Sequence, residues 1–374
     1  MAELTSFVLG VLGADFEQLK TSDNIYLKDL LKNEVESSLE EYNSRELALT
    51  KLLCRKYDES SSTEKRTLTQ DSFEEIGEIQ TPGMFSQFNV WNFPVPIRRF
   101  GSLTMMTRER VQLMTADQFL AFHNAKMEAD LINCNKKLFQ AMMLKTPTAR
   151  VDALDGKATT AKAFWNDEAS MDTPESNGQV TFDGDHDHYN ATSGIGSAGA
   201  NIQTHIMNTL AEHKNTGNGQ IVIWCQSGAT ANLIKGESTY FRAVQQASEI
   251  LGALDPKYND TGRAQAVILG AKQLGFNVKI IGTWKEAIVI ETPDMPTNYL
   301  LGTIYMGENN RYAPVAWRQH PAFKGLTMVD PNGGNPLIGK NAQYRRYLGL
   351  GVNYRSAGAA LYLGDTSWAE PTFS

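Results

Sequence analysis

From Thr115 to Thr146 the chain runs without a Gly or a Pro, and apolar residues recur at helical spacing through Phe119, Phe122, Met127, Leu131, Leu138 and Met142. Thr115 can cap such a helix and Asp117 suits the positive end of its dipole, so the helix is expected to begin there and to end before Pro147. About 29 residues at 1.5 Å each make a rod of about 43 Å, two to three times the usual helix. A rod of that length crosses a whole subunit, and the remaining chain has to be arranged around it.

With 374 residues, 41% hydrophobic and 21% charged, the chain can bury a large core and is not disordered, collagen-like or coiled-coil in composition. Its charge is unevenly placed. Residues 1–80 hold 17 Asp and Glu against 9 Lys and Arg, a net of −8 in a chain whose total is −7, which leaves +1 on the rest. An acidic arm on a neutral body is unlike a dedicated DNA reader, which is strongly basic. Cys54, Cys134 and Cys225 lie far apart with no metal spacing, which fits a reducing compartment. The opening MAELTSFVLGVLGADFEQ has no basic segment before its apolar one, and no apolar run reaches the roughly 18 residues of a membrane span. A cytoplasm is the expected place of work or assembly, with no membrane partner.

Ahead of the long helix, the stretch from Ser22 to Tyr57 is helical in pattern through Leu30, Leu31, Val35, Leu39 and Tyr42, enough to dock but too little for its own core. DESSSTEKRTLTQDSFEE then reads as a polar linker, and TPGMFSQFNVWNFPVPIRRFGSLTMMTRER, residues 81–110, as an extended hairpin arm with edge prolines Pro94 and Pro96. Exposed aromatics on such an arm are expected to lie on a neighbouring subunit. After the long helix come a polar region to Gly199, a helix from Ala200 to His213, a buried strand Ile221–Cys225, a short helix through Leu233 and a strand Val278–Gly282. Near the end, RRYLGLGVNYRSAGAALYL alternates Leu348, Leu350, Val352 and Tyr354 with Gly349, Gly351, Asn353 and Arg355, as a half-buried strand does. Its apolar face is expected against the long helix, with the glycines admitting neighbouring backbone. With no repeat and no strict β-α-β alternation, the class is α+β with mixed sheets.

FDGDHDHYNAT looks most like chemistry. Asp183, Asp185 and Asp187 begin as a calcium loop does, but His188 stands where Gly is needed and Gly194 where a bidentate Glu is needed. His186 and His188 would share a strand face and could chelate zinc with His205 or His213, in a metal-dependent hydrolase; the plainer reading is a solvated turn. GIGSAG, Gly194–Gly199, has the letters of a dinucleotide loop without the apolar strand before it, and reads as a flexible loop. Cys225 has no identifiable base partner and reads as a buried structural thiol. No catalytic residue and no cofactor emerges. Arg98, Arg99, Arg108 and Arg110, interleaved with Trp91, Phe93 and Phe100, fit a subunit interface better than a nucleic-acid site, because the body lacks a basic excess.

Three segments together resemble the major capsid proteins of tailed bacteriophages, the Hong Kong ninety-seven-like capsid family. WNFPVPIRRFGSLTMMTRERVQLMTADQFLAFHNAKMEADLINCNKKLFQAMM is similar to the family's E-loop running into its spine helix. HDHYNATSGIGSAGANIQTHIMNTLAEH, followed by IVIWCQSGATANLIKG, is similar to the passage from P-domain to A-domain, and RRYLGLGVNYRSAGAALYL to the closing P-domain strand. The resemblance implies an N-arm at 1–80, an E-loop at 81–114, spine helix and P-domain at 115–215, A-domain and connecting strands at 216–344, and the returning strand at 345–374. It further implies a non-enzymatic subunit that assembles into hexamers and pentamers of an icosahedral shell around double-stranded DNA, contacted non-specifically. Scaffold, portal and decoration proteins are implied partners, and the virion capsid, assembled in the host cytoplasm, the location. An encapsulin-like compartment is the alternative within shells. The acidic N-arm is expected either to contact neighbouring capsomers or to act as a scaffold-like segment that a protease removes, with retention the favoured reading.

Overall fold

The computed structural model describes residues 20–44, 48–57, 63–70, 87–106, 108–166, 187–213, 219–243, 278–329 and 340–373. A short helix Leu27–Leu30 and a π turn Leu31–Val35 lead into α1 (Glu36–Ser44), then α2 (Ala48–Leu53) and β1 (Cys54–Tyr57). Next come β2 (Thr63–Gln70), β3 (Gln87–Pro94), β4 (Ile97–Met106), α3 (Arg108–Leu113) and the long α4 (Ala116–Met143). The middle holds β5 (Ala149–Val151), β6 (Ala158–Thr160), β7 (Tyr189–Ala191), helical turns from Ala200 to Ala211, β8 (Gln220–Gln226), α5 (Ala229–Lys235) and β9 (Phe241–Ala243). Last are β10 (Lys279–Trp284), β11 (Ala287–Thr292), β12 (Tyr299–Tyr305), β13 (Val315–Arg318), β14 (Leu326–Val329), β15 (Lys340–Val352) and β16 (Gly358–Tyr362).

The long helix is the expected one, 28 residues with Thr115 as its cap. Thr115 Oγ1 accepts from the Gln118 N–H while the Gln118 amide oxygen accepts from the Thr115 N–H, a reciprocal box that satisfies two otherwise orphan donors. Asp23 reaches across to accept from the Ala116 N–H at 3.1 Å, so the acidic arm supplies part of the cap.

Two sheets flank this helix. One runs β1-β13-β15-β14 with β4 also paired to β15, and the other runs β7-β16-β12-β8-β11-β10-β9. Strands from 216–344 therefore divide between them, β8 to β12 in the seven-stranded sheet and β13 and β14 in the other. The main core lies where both meet the second half of α4: Cys134, Leu138, Phe139, Met142 and Met143 pack with Trp224 and Ile288 from one sheet, Leu348 and Val352 from the other, and Leu49 and Leu53 from α2. Ile202, Ile206 and Leu210 cover the opposite face of the seven-stranded sheet with Ile223, Cys225 and Leu300. Strand β8 is thus buried on both faces, Trp224 to one core and its neighbours to the other, as its unbroken apolar run requires.

The first half of α4 carries the N-terminal arm. Leu30, Val35 and Leu39 pack with Ala116, Phe119 and Met127 of α4 and with Leu326 and Tyr344. Polar bonds fix the same contact: Tyr42 donates to Asp130, which also receives Arg346 at 2.7 Å, and His123 bridges the Ser38 and Tyr344 hydroxyls at 2.8 Å each. This part of the arm expected to reach neighbouring capsomers docks on its own subunit.

Three strand expectations need correction. DESSSTEKRTLTQDSFEE is not simply linker, because Thr63–Gln70 forms β2 and pairs along its whole length with β3. Among its described residues, the arm expected as a hairpin over 81–110 does not pair with itself: β4, beyond the Pro94–Pro96 bend, leaves β3 and pairs with β15 from Ile97↔Gly349 to Met106↔Lys340. The terminal strand is not half-buried in its last part. Leu348 and Val352 do face the long helix, but Gly349, Gly351, Asn353 and Arg355 are buried too, and Tyr354 lies beyond the strand, edge-on to Tyr312. A Cβ on Gly349 would sit 3.0 Å from the Val95 carbonyl oxygen, and one on Gly351 3.5 Å from that of Pro94, so the glycines do admit backbone, that of the same chain. Asn353 compensates for its burial by donating to the Arg311 and Ala313 carbonyls and accepting from the Tyr57 hydroxyl at 2.8 Å.

Candidate assembly surface

The residues singled out as interface candidates do not form one patch. Trp91 and Phe93 lie on β3, opposite Arg66 and Glu64 of β2. Arg98, Arg99 and Phe100 lie on β4, opposite Leu348, Tyr347 and Arg346 of β15. Arg108 and Arg110 belong to α3. The strand pleat separates Arg98, half-buried and stacked over Phe100 at 5.3 Å, from the exposed Arg99.

Arg98 joins cations that sequence proximity does not reveal. It lines a surface groove with Lys137 of α4, Arg150 of β5 and Lys162, over a floor that includes Ala141, Leu348 and Leu350. None of the described residues lining it is Asp or Glu. Burial, then the charges of Arg98, Arg150 and Lys136, push the Lys137 ammonium below its ordinary pKa, and burial with Arg98 does the same to Arg150. Lys137 donates to the Gln140 amide oxygen at 2.8 Å. Such a groove is suited to an anion that also carries apolar groups. The alternation of β4 pointed to Arg98, whereas Lys137 and Arg150 carried no local signal because helix, hairpin and sheet converge only in the fold.

At the base of the β2–β3 ribbon, Arg318 and Asp152 form a buried ion pair of 2.6 Å, their side chains 2% and 0% exposed. Arg318 also donates to the Val95 carbonyl at 2.9 Å, and Asp152 accepts from the Ile97 N–H at 2.7 Å, so both arms of the bend at Pro96 are clamped.

Asp183, Asp185 and His186 lie outside the described residues. His188, expected beside His186 on an accessible face, is instead wholly buried: its Nδ1–H donates to the Gly358 carbonyl at 2.6 Å. With Nδ1 protonated, the neutral ring offers Nε2 as acceptor to His213 Nε2–H at 3.0 Å. The structure thus brings together two of the four histidines weighed as zinc ligands, His188 and His213, but as a hydrogen-bonded pair. Asp187 is paired with Lys145 and accepts from the Tyr189 N–H. Among the described residues no three His, Cys, Asp or Glu side chains are grouped to hold a metal ion. The GIGSAG segment forms hydrogen-bonded turns, with Asn201 donating to the Gly194 carbonyl, and a Cβ on Gly199 (φ 64°) would meet the Trp284 ring at 2.8 Å. Its glycines admit this close packing. Cys225 is buried, its thiol pushed up to about 12 by burial, which disfavours the thiolate a nucleophile needs.

No family model matches this chain, and no curated protein matches it. Among solved structures, a chain of Mycobacterium phage Patience superposes with a TM-score of 0.59 at 21% identity, over 95% of this chain and 96% of that one. This chain shares the fold of that phage chain. Its α+β class, long helix and flanking sheets are those implied by the resemblance to tailed-phage capsid proteins. More distant are a chain from the capsid of an empty GTA particle (TM-score 0.41, 11% identity, 85% of this chain and 90% of that one) and one from the satellite phage P4 procapsid (TM-score 0.41, 10%, 90% and 92%).

Proposed function

We propose that this chain is a major capsid protein that assembles through hexamers and pentamers into an icosahedral shell enclosing double-stranded DNA. The end-to-end likeness in fold to a phage chain, over 95% of this chain, carries the reading. The β2–β3 ribbon supports it physically. It is a two-stranded sheet, and an isolated ribbon of that kind is marginal in water, so a neighbouring subunit is its natural cover. The role is assembly rather than turnover, in a virion capsid built in the host cytoplasm, with scaffold, portal and decoration proteins as further partners. Within this reading the chain runs N-arm, E-loop, spine helix, P-domain and A-domain, with the ribbon of β2 and β3 taken as part of the E-loop.

Negative-stain electron microscopy of the expressed protein, alongside light scattering, tests the proposal. Closed shells, or hexamer and pentamer rings, are the expected result. A subunit that stays monomeric at high concentration, and also when co-expressed with the other virion proteins, would overturn it. Shells filled with an enzyme instead of DNA would make it an encapsulin-like compartment.

A further inference from the structure

We propose that the buried His188–His213 pair is an acid-opened latch at the joint where β7 meets β16 and the end of the helical turns Ala200 to Ala211. The inference stands apart from the shell reading and concerns the subunit itself. Both side chains lie in the interior, His188 in a residue 0% exposed and His213 in one 1% exposed. His188 ties its strand to the surrounding chain through every polar group it has. Its N–H donates to the Trp165 carbonyl at 2.9 Å, its carbonyl accepts from the Ala360 N–H at 2.7 Å, and its Nδ1–H donates to the Gly358 carbonyl at 2.6 Å. Its Nε2 meets His213 Nε2 at 3.0 Å, and His213 follows directly on the helical turns. The far end of β7 is held separately, by the Thr192 N–H on the Tyr362 carbonyl at 2.8 Å and the Gly194 N–H on the Leu363 carbonyl at 3.0 Å. Opening the pair therefore frees one end of β7 and leaves the other as a pivot.

Two ring nitrogens at this separation share one proton between them. Because Gly358 holds Nδ1–H, Nε2 of His188 is the acceptor, and a proton added there sets two N–H groups head to head in a buried site. Turning the ring to escape would withdraw Nδ1 from Gly358. The charged and titratable groups on the elements around the pair give the added charge no welcome. Asp187, next in the chain, is engaged by Lys145 and by the Tyr189 N–H, and the Tyr189 hydroxyl donates to the Met142 carbonyl. Arg355, whose carbonyl accepts from the Trp165 N–H, places a cation over the Trp165 ring at 4.7 Å. On the helical turns and just after them, burial holds His205 and Glu212 toward their neutral forms, and β16 ends in the neutral Tyr362. The closed joint thus excludes a proton that the open joint accepts. It is fully favoured above the ordinary imidazole value of about 6.5 and gives way as pH falls below it.

Amide hydrogen exchange of the full chain at about pH 7.5 and about pH 5.5, corrected for the intrinsic pH dependence of exchange, tests this. Each proton taken up on opening lowers protection about tenfold per pH unit once the pair titrates. The expected loss is at the His188 and Ala360 N–H groups, while β8 keeps its protection. Unchanged protection at Ala360 would overturn the proposal, and so would a fall matched in β8, which would mean that acid unfolds the whole subunit. His213→Gln supplies an amide that can donate to His188 at neutral pH and turn to accept from it in acid. This variant is expected to keep the protection of wild type at about pH 7.5 and to lose the acid dependence; an acid loss as large as that of wild type would overturn the latch. A measurement on wild type alone covers the case in which the variant does not fold. Deuterium exchange at the imidazole C2–H, read by mass spectrometry, should give the peptides holding His188 and His213 lower titration midpoints in the folded chain than in urea. Identical midpoints in the two states would overturn the proposal.

Discussion

Truncating Asp152 to alanine is expected to cost this protein more than any change on its surface, and the loss should concentrate at the root of the β2–β3 ribbon. The carboxylate accepts four hydrogen bonds: from the Ile97 N–H at 2.7 Å, Leu154 N–H at 2.8 Å, Asp155 N–H at 3.1 Å and Arg318 at 2.6 Å. Removing it leaves a guanidinium that is only 2% exposed without its counter-charge. Breaking a buried pair from one side costs about 3–5 kcal/mol, of which one buried unsatisfied N–H accounts for roughly 1–3. Against a typical total of about 5–15 kcal/mol this is a large fraction. Urea midpoints of dissociated subunits measure the loss, and hydrogen exchange at Ile97 and at Ala153, whose N–H donates to the Ile97 carbonyl, locates it. The pH dependence carries a second signature. Burial alone would raise the Asp152 carboxyl, but the Ile97 and Leu154 N–H groups and Arg318 outweigh it and hold the group below the usual carboxylate range. A depressed acid stabilises fully above its unfolded value of about 3.9 and loses that contribution as pH falls through the folded value. Wild-type protein should therefore lose this increment only below about pH 4, and Asp152→Ala should have none to lose. A loss under about 1 kcal/mol with unchanged exchange at Ile97 would refute the reasoning, since it would mean that the clamp is not holding buried donors.

Burial pushes His123, which bridges Ser38 and Tyr344, down to about 4, so the stability held by its neutral form is complete above about pH 6.5 and falls between there and about pH 4, by at most about 3 kcal/mol. His123→Gln should remove that component, and limited proteolysis near residues 27–44 of wild type at pH 5 reports whether the arm undocks. Thr115→Ala removes the cap of α4 and should lower stability by about 1 kcal/mol, read from the urea midpoint. Gly349→Val drives side-chain atoms toward the Val95 carbonyl and Ile97, and should cost about 1–3 kcal/mol with faster exchange along β4; a neutral result would mean the bend can yield. Tyr42→Phe deletes one of the donors to the buried Asp130 and should cost about 1 kcal/mol in thermal unfolding.

The site was legible only where its chemistry was local. Arg98 and Phe100 could be picked out as a cation and an aromatic on a β-prone run, and the groove does use Arg98. Lys137 and Arg150 could not, because on a helix and a three-residue strand they look like ordinary surface charges until α4 and β5 are set against β4. The letters around His188 pointed the other way. Alternating Asp and His resembles a ligand set in one dimension, but whether a histidine faces solvent or a core depends on what packs over it. Here it is the Gly358 carbonyl and His213 that do so.

What the chain determined by itself is what neighbouring residues decide among themselves. The Thr115–Gln118 box and the uninterrupted helical run specify α4, the two-sided apolar run specifies β8, and the alternation Leu348, Leu350, Val352 specifies a strand with a face for α4. Tertiary structure decided which strands pair. β2 finds β3 across sixteen intervening residues and β4 finds β15 across more than two hundred, and neither partner is encoded in the propensity of the other. Pairing depends on closing those loops and on the glycines that let the bend at Pro96 lie flat on β15, and that free energy exists only once the chain is folded.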